Sequence, residues 1–476
     1  MNLLLLRPHY DTRYRPAGFP IGIAYLAAAA EAAGHRVRAL DLILHPDWEA
    51  VLADALAAER FDLVGISCMS VQYLGAVAAA ARIHALAPDT PMVFGGAHPS
   101  IAPDQVLALD GVRFVIRGEG ERPFLELLDA LGRGSGFDAV GSLSFKQDGI
   151  VTHNPLRTDC PSPDDLPWPA YHLFAMERYF ELEIPGSPSR HPRPFQIFTS
   201  RGCPYHCIYC HNLFGKGFRP RSPEHVVAEM RHLYDAYGVR EFLIYDDNFT
   251  MDLARARRIC ELIVDSGMRV GLQFPNGIRA DRVDEPLFEA MVAAGAHSIT
   301  IGVETGSPRI QQLIRKNLRL DRVEAFLRLA RRHRLVTHGF FMMGFPGETA
   351  ADVWQTIRFA RRSELDYAFF AFATPYPGTE LHDLTVAQGL ATRMLADDMD
   401  VTTPHIQTRE INLRTLRRLY YTAYFLFYTR PRRLGRLLAS LLRPGVAVKY
   451  LRGLGKYLLP ALRQRRTAPL TPPEGP

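Results

Sequence analysis

Three cysteines, Cys203, Cys207 and Cys210, fall within eight residues of the stretch TSRGCPYHCIYCHN, at the spacing C-x3-C-x2-C. Thiolates that close together on one loop can share a metal centre. A structural zinc ion takes four ligands, and His206 or His211 stands near enough in the sequence to supply one. Zinc knuckles usually come in pairs, however, and no second C-x-x-C exists. An iron–sulfur cluster is the other reading. Closely spaced thiolates hold such clusters, and three ligands on four irons leave one iron open, much as a catalytic zinc keeps one position open. The place of the loop in the chain favours the cluster.

That place follows from the elements around it. From Phe195 onward strands alternate with helices. FQIFTS leads into the cysteine loop and a helix over 223–237, and EFLIYDD precedes a helix over 252–266. RVGLQFP, HSITIGVET and VTHGFFMMG precede helices over 284–294, 321–333 and 349–362, and DYAFFAFATP closes the set. Six β/α units predict a partial (β/α)6 barrel, a fold whose working residues lie at the carboxyl ends of its strands. Every such end here carries polar or glycine-rich residues: the cysteines, DDNFT, NGIR, ETGS, GFPGET and TPYPGTE. Six such loops on one rim point to an active site.

The first part of the chain alternates in the same way. NLLLL, HRVRALDL, DLVGISC, PMVFGG and RFVIRGEGE read as strands separated by helices. This α/β pattern predicts a doubly wound, Rossmann-like parallel sheet over residues 1–150. Such sheets bind ligands beyond the carboxyl ends of their strands, where GISCMS (Gly65 to Ser70) and GGAHPS (Gly95 to Ser100) lie. No G-x-G-x-x-G is present, so a dinucleotide is not indicated. SLSFKQDGIVTHN reads as a hairpin decorating this domain. Residues 151–194 read as a linker, because 157–195 hold eight prolines. The barrel is expected over 195–385, a basic helical segment over 386–466, and a disordered Pro-rich tail over 467–476.

The cysteine spacing, with the aromatic Tyr209 just before the last cysteine, resembles that of the radical S-adenosylmethionine (SAM) enzymes. The N-terminal α/β domain, DDLPWPAYHLF, RGCPYHCIYC, IGVETGS, GFPGET and TPYPGTEL together resemble the cobalamin-binding branch of that superfamily, over about residues 1–385. The resemblance implies a 4Fe–4S cluster on the three cysteines, with its open iron chelated by the amino and carboxylate groups of SAM. It implies one-electron cleavage of SAM to a 5′-deoxyadenosyl radical, and a reducing partner such as flavodoxin or ferredoxin. It places Tyr209, Asp246, Asp247, Asn248, Arg279, Glu304 and Gly344 around the cluster and SAM, although Asp246 and Asp247 read equally well as helix caps. It places Ser67, Ser70, Gly95 and Gly96 against cobalamin, with a domain that binds nothing as the rival reading. Cobalamin domains that give cobalt a histidine carry D-x-H-x-x-G. DLILHP has Asp41 and His45 without the glycine, so cobalamin without a protein histidine ligand is expected. The implied reaction is methyl transfer to an unactivated carbon of a small hydrophobic or amphiphilic metabolite. Oxidative cyclisation or rearrangement of a tetrapyrrole or natural-product intermediate, on the same cofactors, is the alternative, and a non-catalytic cobalamin-dependent sensor is a third reading.

Composition narrows the setting. Six cysteines in 476 residues, with Cys68, Cys160 and Cys260 isolated, suit a reducing compartment. MNLLLL reads as a first strand rather than an export signal, and no run of about 18 apolar residues suggests a spanning helix. A cytoplasmic enzyme is expected. The net charge of +6 hides an asymmetry: residues 409–466 carry 15 Lys and Arg against one acid, while residues 1–408 sum to −7. An acidic body argues against a nucleic-acid partner. Aromatic and leucine residues alternate with arginines in 411–466. That pattern suits either a helical cap over the barrel mouth with its arginines outward, or peripheral contact with anionic lipid.

Anaerobic reconstitution should load about four irons and four sulfides per chain. Cys203→Ala, Cys207→Ala and Cys210→Ala should each abolish both the cluster absorbance and SAM cleavage, whereas alanine at Cys68, Cys160 or Cys260 should spare them. Stoichiometric zinc without iron would establish the other reading.

Overall fold

The computed structural model describes residues 1–10, 18–182, 189–211, 213–391 and 401–435. Leu3 to Leu6 are all buried, as expected of a strand covered on both faces. This strand, β1 (Asn2–Arg7), is followed by α1 (Ile21–Ala32), β2 (Arg36–Asp41), α2 (Trp48–Ala58), β3 (Leu63–Ser67), α3 (Tyr73–Leu86) and β4 (Met92–Gly95). Two short helices, α4 (Ala97–Ile101) and α5 (Pro103–Leu107), then lead to β5 (Val112–Ile116) and α6 (Glu121–Arg133). The parallel strands lie in the order β2-β1-β3-β4-β5, so the winding reverses between β1 and β3, where doubly wound sheets form ligand crevices. The hairpin β6 (Leu143–Gln147) and β7 (Ile150–His153) extends the sheet antiparallel from β5, past the boundary expected at residue 150.

The Pro-rich stretch corrects the linker expectation. Tyr171, Phe174, Met176 and Tyr179 are buried, the last two on the short helix α7 (Met176–Phe180). They share one hydrophobic core with Phe19 and Ala24 of the first domain and with Phe195, Val226 and Met230 of the second. The ring of Phe19 lies 4.9–5.6 Å from those of Tyr171, Phe174, Tyr179 and Phe195. The Tyr179 hydroxyl donates to Asp41 (2.6 Å), and that of Tyr171 donates to Glu229. Proline sets the turns, and the aromatics between them supply apolar area, so the segment is a wedge between the domains.

The second domain opens with β8 (Pro194–Ile197) and the two-residue pair β9 (Ser200–Arg201) and β10 (Arg219–Pro220), which closes the base of the cysteine loop. It continues through α8 (Pro223–Tyr237), β11 (Glu241–Ile244), α9 (Leu253–Asp265), β12 (Gly271–Ile278), α10 (Glu285–Ala293) and β13 (Ala296–Glu304). Next come α11 (Pro308–Leu313), α12 (Leu320–Arg332), β14 (Val336–Met343), α13 (Ala350–Arg362), β15 (Tyr367–Phe372), α14 (Glu380–Ala387) and α15 (Leu413–Tyr428). Strands β8, β11, β12, β13, β14 and β15 form one parallel sheet in sequence order, the six-unit partial barrel that the sequence predicts.

Helix α15 corrects the expectation of a mouth cap. It runs along the outer edge of β15, with Tyr420 stacked on Phe372 (4.6 Å) and Tyr424 edge-on to Phe370 (5.0 Å). The Tyr424 hydroxyl accepts from the Phe370 N–H (3.1 Å) and donates to its carbonyl (3.2 Å). One turn later the Tyr428 hydroxyl does the same for Ala368 (3.3 and 3.1 Å). The i, i+4 spacing of the tyrosines matches alternate residues of the strand. Arg430 and Arg433 turn inward rather than outward: both donate to the carbonyls of Arg361 and Ser363 at the end of α13, and Arg433 is buried over the Phe427 ring. Residues 436–466 and the tail 467–476 lie outside the described residues.

Tyr424→Phe and Tyr428→Phe should each destabilise the second domain by about 1 kcal/mol, because each leaves an edge N–H and carbonyl to water or unpaired. The double variant should lose about twice that, measured by urea unfolding of the holoprotein. No change in either midpoint would show that the edge is satisfied without the hydroxyls.

Candidate active site

The cysteine loop is fixed at its base before it reaches its first ligand. Buried Asp246, just past β11, accepts from the Thr199 N–H (2.6 Å) and from the hydroxyls of Thr199 and Ser200 (2.5 and 2.6 Å). Its carboxylate therefore holds the chain entering the loop. Arg255 ties the same point to the other end of the loop through the carbonyls of Thr199 and Arg221. Midway along, Ile208 is buried among Ile310, Ile314, Phe345 and Leu381. Its N–H donates to Ile314 (3.2 Å), and its carbonyl accepts from the Leu381 N–H (2.8 Å).

Around this frame Cys203, Cys207 and Cys210 line a shallow, open hollow together with Asp247, Lys216, His211, Tyr205 and Phe214. Desolvation raises the Cys203 thiol, and Asp247 and Cys207 add to the rise. The protein around Cys210, followed by Cys207, Asp247 and Cys203, pushes its thiol up to about 11. Acidic groups that oppose one another's ionisation form a donor set that calls for a strongly positive centre. Among the described residues no three His, Cys, Asp or Glu side chains converge on a single point. Thiols spaced around a hollow suit a cluster that takes one thiolate per iron.

The other candidates separate into those at the loop and those behind it. Tyr209 packs on Phe345 (6.0 Å) of the GFPGET turn. Arg279 stacks under Tyr205 (4.2 Å), pairs with Asp281 (3.0 Å) and donates to the carbonyls of Lys316 and Asn317 (3.0 and 3.3 Å). Glu304 is buried, has a left-handed backbone (φ 64°) and pairs with Lys316 (3.2 Å). That conformation costs of order 1–3 kcal/mol in a residue with a side chain, and here it keeps the carboxylate beside a lysine. Burial works against the Lys316 charge, yet Glu304 and Cys207 hold its pKa above the ordinary lysine value. Asn248 faces inward, accepting from the Thr250 hydroxyl (3.1 Å). Gly344 (φ 91°) lets the turn pass over Leu416, and its N–H donates to Glu348 (2.5 Å).

In the first domain Ser67, Ser70, Gly95 and Gly96 gather, partly exposed, at the carboxyl ends of β3 and β4. Gly96 (φ 98°) has no room for a side chain: a Cβ would stand 2.8 Å from the Cys68 carbonyl and 3.1 Å from the Ser67 hydroxyl. The Ser70 hydroxyl and His98 Nδ1 share a hydrogen bond (3.2 Å). Asp41 is taken by Arg7 and Tyr179, and His45 follows it beyond the outermost strand β2, away from β3 and β4.

The two rims face each other. Arg201, two residues before Cys203, donates to Glu119 (2.7 Å) and Glu121 (2.6 Å) at the carboxyl end of β5, and Arg219 reaches Glu119 as well. On the far side Gly378 of the TPYPGTE loop lies against Ile101 of α4, where an added Cβ would stand 2.7 Å from the isoleucine. Sequence reasoning missed these contacts. Arg201 and Glu119 sit beside recognisable motifs, but nothing in a sequence pairs them. Lys316 carries no pattern at all. Glu348 was legible only as part of GFPGET.

The chain divides as its two rims suggest. Residues 12–128 match the B12 binding domain and residues 197–360 the radical SAM superfamily. An uncharacterized methyltransferase of Pyrococcus horikoshii is 31% identical over 439 residues, spanning 91% of this chain and 93% of that relative. The cytidylyl-2-hydroxyethylphosphonate methyltransferase of Streptomyces wedmorensis is 30% identical over 78% of each chain. Among solved structures, the radical SAM methyltransferase TsrM from Kitasatospora setae, determined with cobalamin and a 4Fe–4S cluster bound, shares the fold at a TM-score of 0.69 and 20% identity, over 83% of this chain and 76% of that one. Fold and site define an enzyme that sets a B12-binding domain against a radical SAM barrel. The chain belongs to the cobalamin-dependent radical SAM methyltransferases.

Glu348 gives this site a pH signature. The residue is fully buried, with one oxygen on the N–H groups of Gly344 and Phe345 and the other without a partner. Burial raises its carboxyl to about 8, against those two N–H groups. The folded state then holds a proton that the unfolded chain releases near pH 4.5, so this group's contribution to stability falls as pH rises from about 5 to about 8 and levels off above. Glu348→Gln should flatten that slope in unfolding midpoints measured across the window, and an unchanged slope would show that the group is ionised in place.

Proposed function

We propose that this enzyme methylates an unactivated carbon of a small hydrophobic or amphiphilic metabolite, with the substrate lying between the two facing rims. The observation that carries the reading is the direct apposition of the cysteine loop to the carboxyl end of the first sheet through Arg201, Glu119 and Glu121. On this reading the thiols and the Ser67–Gly96 cradle open on one space. When bound, the cluster and cobalamin supply reductive cleavage of SAM and a transferable methyl group.

The chain's own residues prepare that space. Asp246 and Arg255 fix the loop carrying the thiols, and the Ile208, Phe345 and Ala373 cluster gives an apolar floor that excludes water. Arg279 and Lys316 place two cations near the loop, where the carboxylate of SAM or an anionic end of the substrate could be oriented. Glu304 and Asp247 supply acceptors for an amine or ribose hydroxyl. Ser67, Ser70 and the backbone at Gly95 and Gly96 are the proposed cobalamin contacts, without a histidine on cobalt. A low-potential protein such as flavodoxin or ferredoxin is the proposed electron donor.

The test uses reconstituted holoenzyme, SAM labelled with deuterium in its methyl group, and a small-molecule extract fractionated by polarity. The expected result is 5′-deoxyadenosine and S-adenosylhomocysteine forming together with a deuteriomethylated product in an apolar or amphiphilic fraction. 5′-Deoxyadenosine with an unmethylated product would establish cyclisation or rearrangement instead. No cleavage of SAM would leave a cobalamin-binding sensor.

A further inference from the structure

Helix α15 uses one face to seal the barrel and leaves another exposed. Leu416, Leu419, Tyr420, Ala423 and Phe427 are buried in the core shared with β14 and β15. On the opposite side Tyr421 and Phe425 are 65% and 66% exposed, one turn apart, with Arg414, Arg417 and Arg418 exposed on the preceding turn. Packing already has its apolar stripe, so these two aromatics do no work in holding the helix to the barrel. No acid occurs in α15, and residues 436–466, which follow shortly after it, carry eight Lys and Arg and no acid among leucines, valines and tyrosines. No described helix is long and apolar enough to cross a membrane.

We infer that the outward face of α15 seats the enzyme on an anionic lipid surface. Aromatic side chains with an apolar body enter the headgroup boundary, and arginines beside them meet lipid phosphates; binding scales with the apolar area buried plus the attraction to anionic lipid. One cationic flank on an otherwise acidic chain fixes which side approaches such a surface. Aromatic side chains among arginines can also stack nucleic-acid bases, but the leucines and valines among the basic residues of 436–466 offer no stacking face and suit an apolar boundary. Of the described arginines just beyond the helix, Arg432 pairs with Glu364 (2.5 Å) and Arg433 is buried, so both are engaged within the protein. The surface is independent of the reaction catalysed.

Flotation of the full-length holoenzyme with phosphatidylglycerol-containing vesicles, against phosphatidylcholine alone, tests the inference. Wild type should float with the anionic vesicles only, and less in high salt. Tyr421→Ser/Phe425→Ser should lower the bound fraction at least ~tenfold through lost apolar burial. Arg414→Gln/Arg417→Gln/Arg418→Gln should weaken binding at low salt and reduce its salt dependence. Both variants should keep their cluster absorbance and SAM cleavage, which separates this result from failure of the methyl-transfer reading. Absence of flotation, equal flotation of wild type and the Tyr421/Phe425 variant, or loss of a wild-type dimer in that variant would each overturn the inference. Retention of a duplex DNA or RNA probe in place of vesicles would also overturn it.

Discussion

The guanidinium of Arg201 is the constraint on which the arrangement rests. It is almost fully buried and shared between two carboxylates of the first domain, and its ring neighbours are Tyr25 at 5.1 Å and Phe214 at 5.6 Å. Burying such charges costs solvation that only good pairing offsets. Removing one partner strands the other, a penalty of about 3–5 kcal/mol. The residue therefore works less as glue than as a register mark. It is satisfied only when β5 of one domain and the loop after β8 of the other stand at the right separation, and two residues later the chain delivers its first thiol.

The aromatic wedge makes that separation reproducible. Phe19 sits where four other rings converge, and hydroxyls at each end of the wedge reach Asp41 in one domain and Glu229 in the other. A flexible tether would leave the relative pose of the domains to the weak surface contacts usual between domains. A shared core removes that freedom before any ligand arrives, so less of the binding energy goes into ordering the site.

Much of this was readable in the sequence. Strand and helix alternation carries period and composition cues, and both sheets follow it, as does the hairpin after β5. The three cysteines announced themselves by spacing. The misreadings share one cause. Proline content marked 157–195 as a linker, although Tyr171 and Tyr179 inside it are core residues. Arginine content marked the C-terminal segment as outward-facing, which holds for Arg414, Arg417 and Arg418 but not for Arg430 and Arg433, which serve the carbonyl end of a helix. Local composition reports what a residue can do, not which neighbour it meets. Asp246 shows the same limit: its motif position suggested a ligand contact or a helix cap, while its carboxylate braces the loop base from across the strand. Pairings between distant segments, such as Arg201 with Glu119 or Lys316 with Glu304, have no local signature.

The saturated edge of β15 has a consequence for what can bind along it. The last strand of an open sheet normally offers its backbone to any extended segment that can add to it. Here Ala368 and Phe370 have both backbone groups engaged by tyrosine hydroxyls, the Phe372 N–H donates to Val401 (2.7 Å), and its carbonyl accepts from Thr374 (3.1 Å). A seventh strand has nothing left to bond to. Peptides cannot be recognised there by augmentation, and neighbouring copies cannot zip together along that flank. Recognition of an extended segment by the backbone of the final strand is thereby closed off, which leaves side chains to carry any selectivity on that flank.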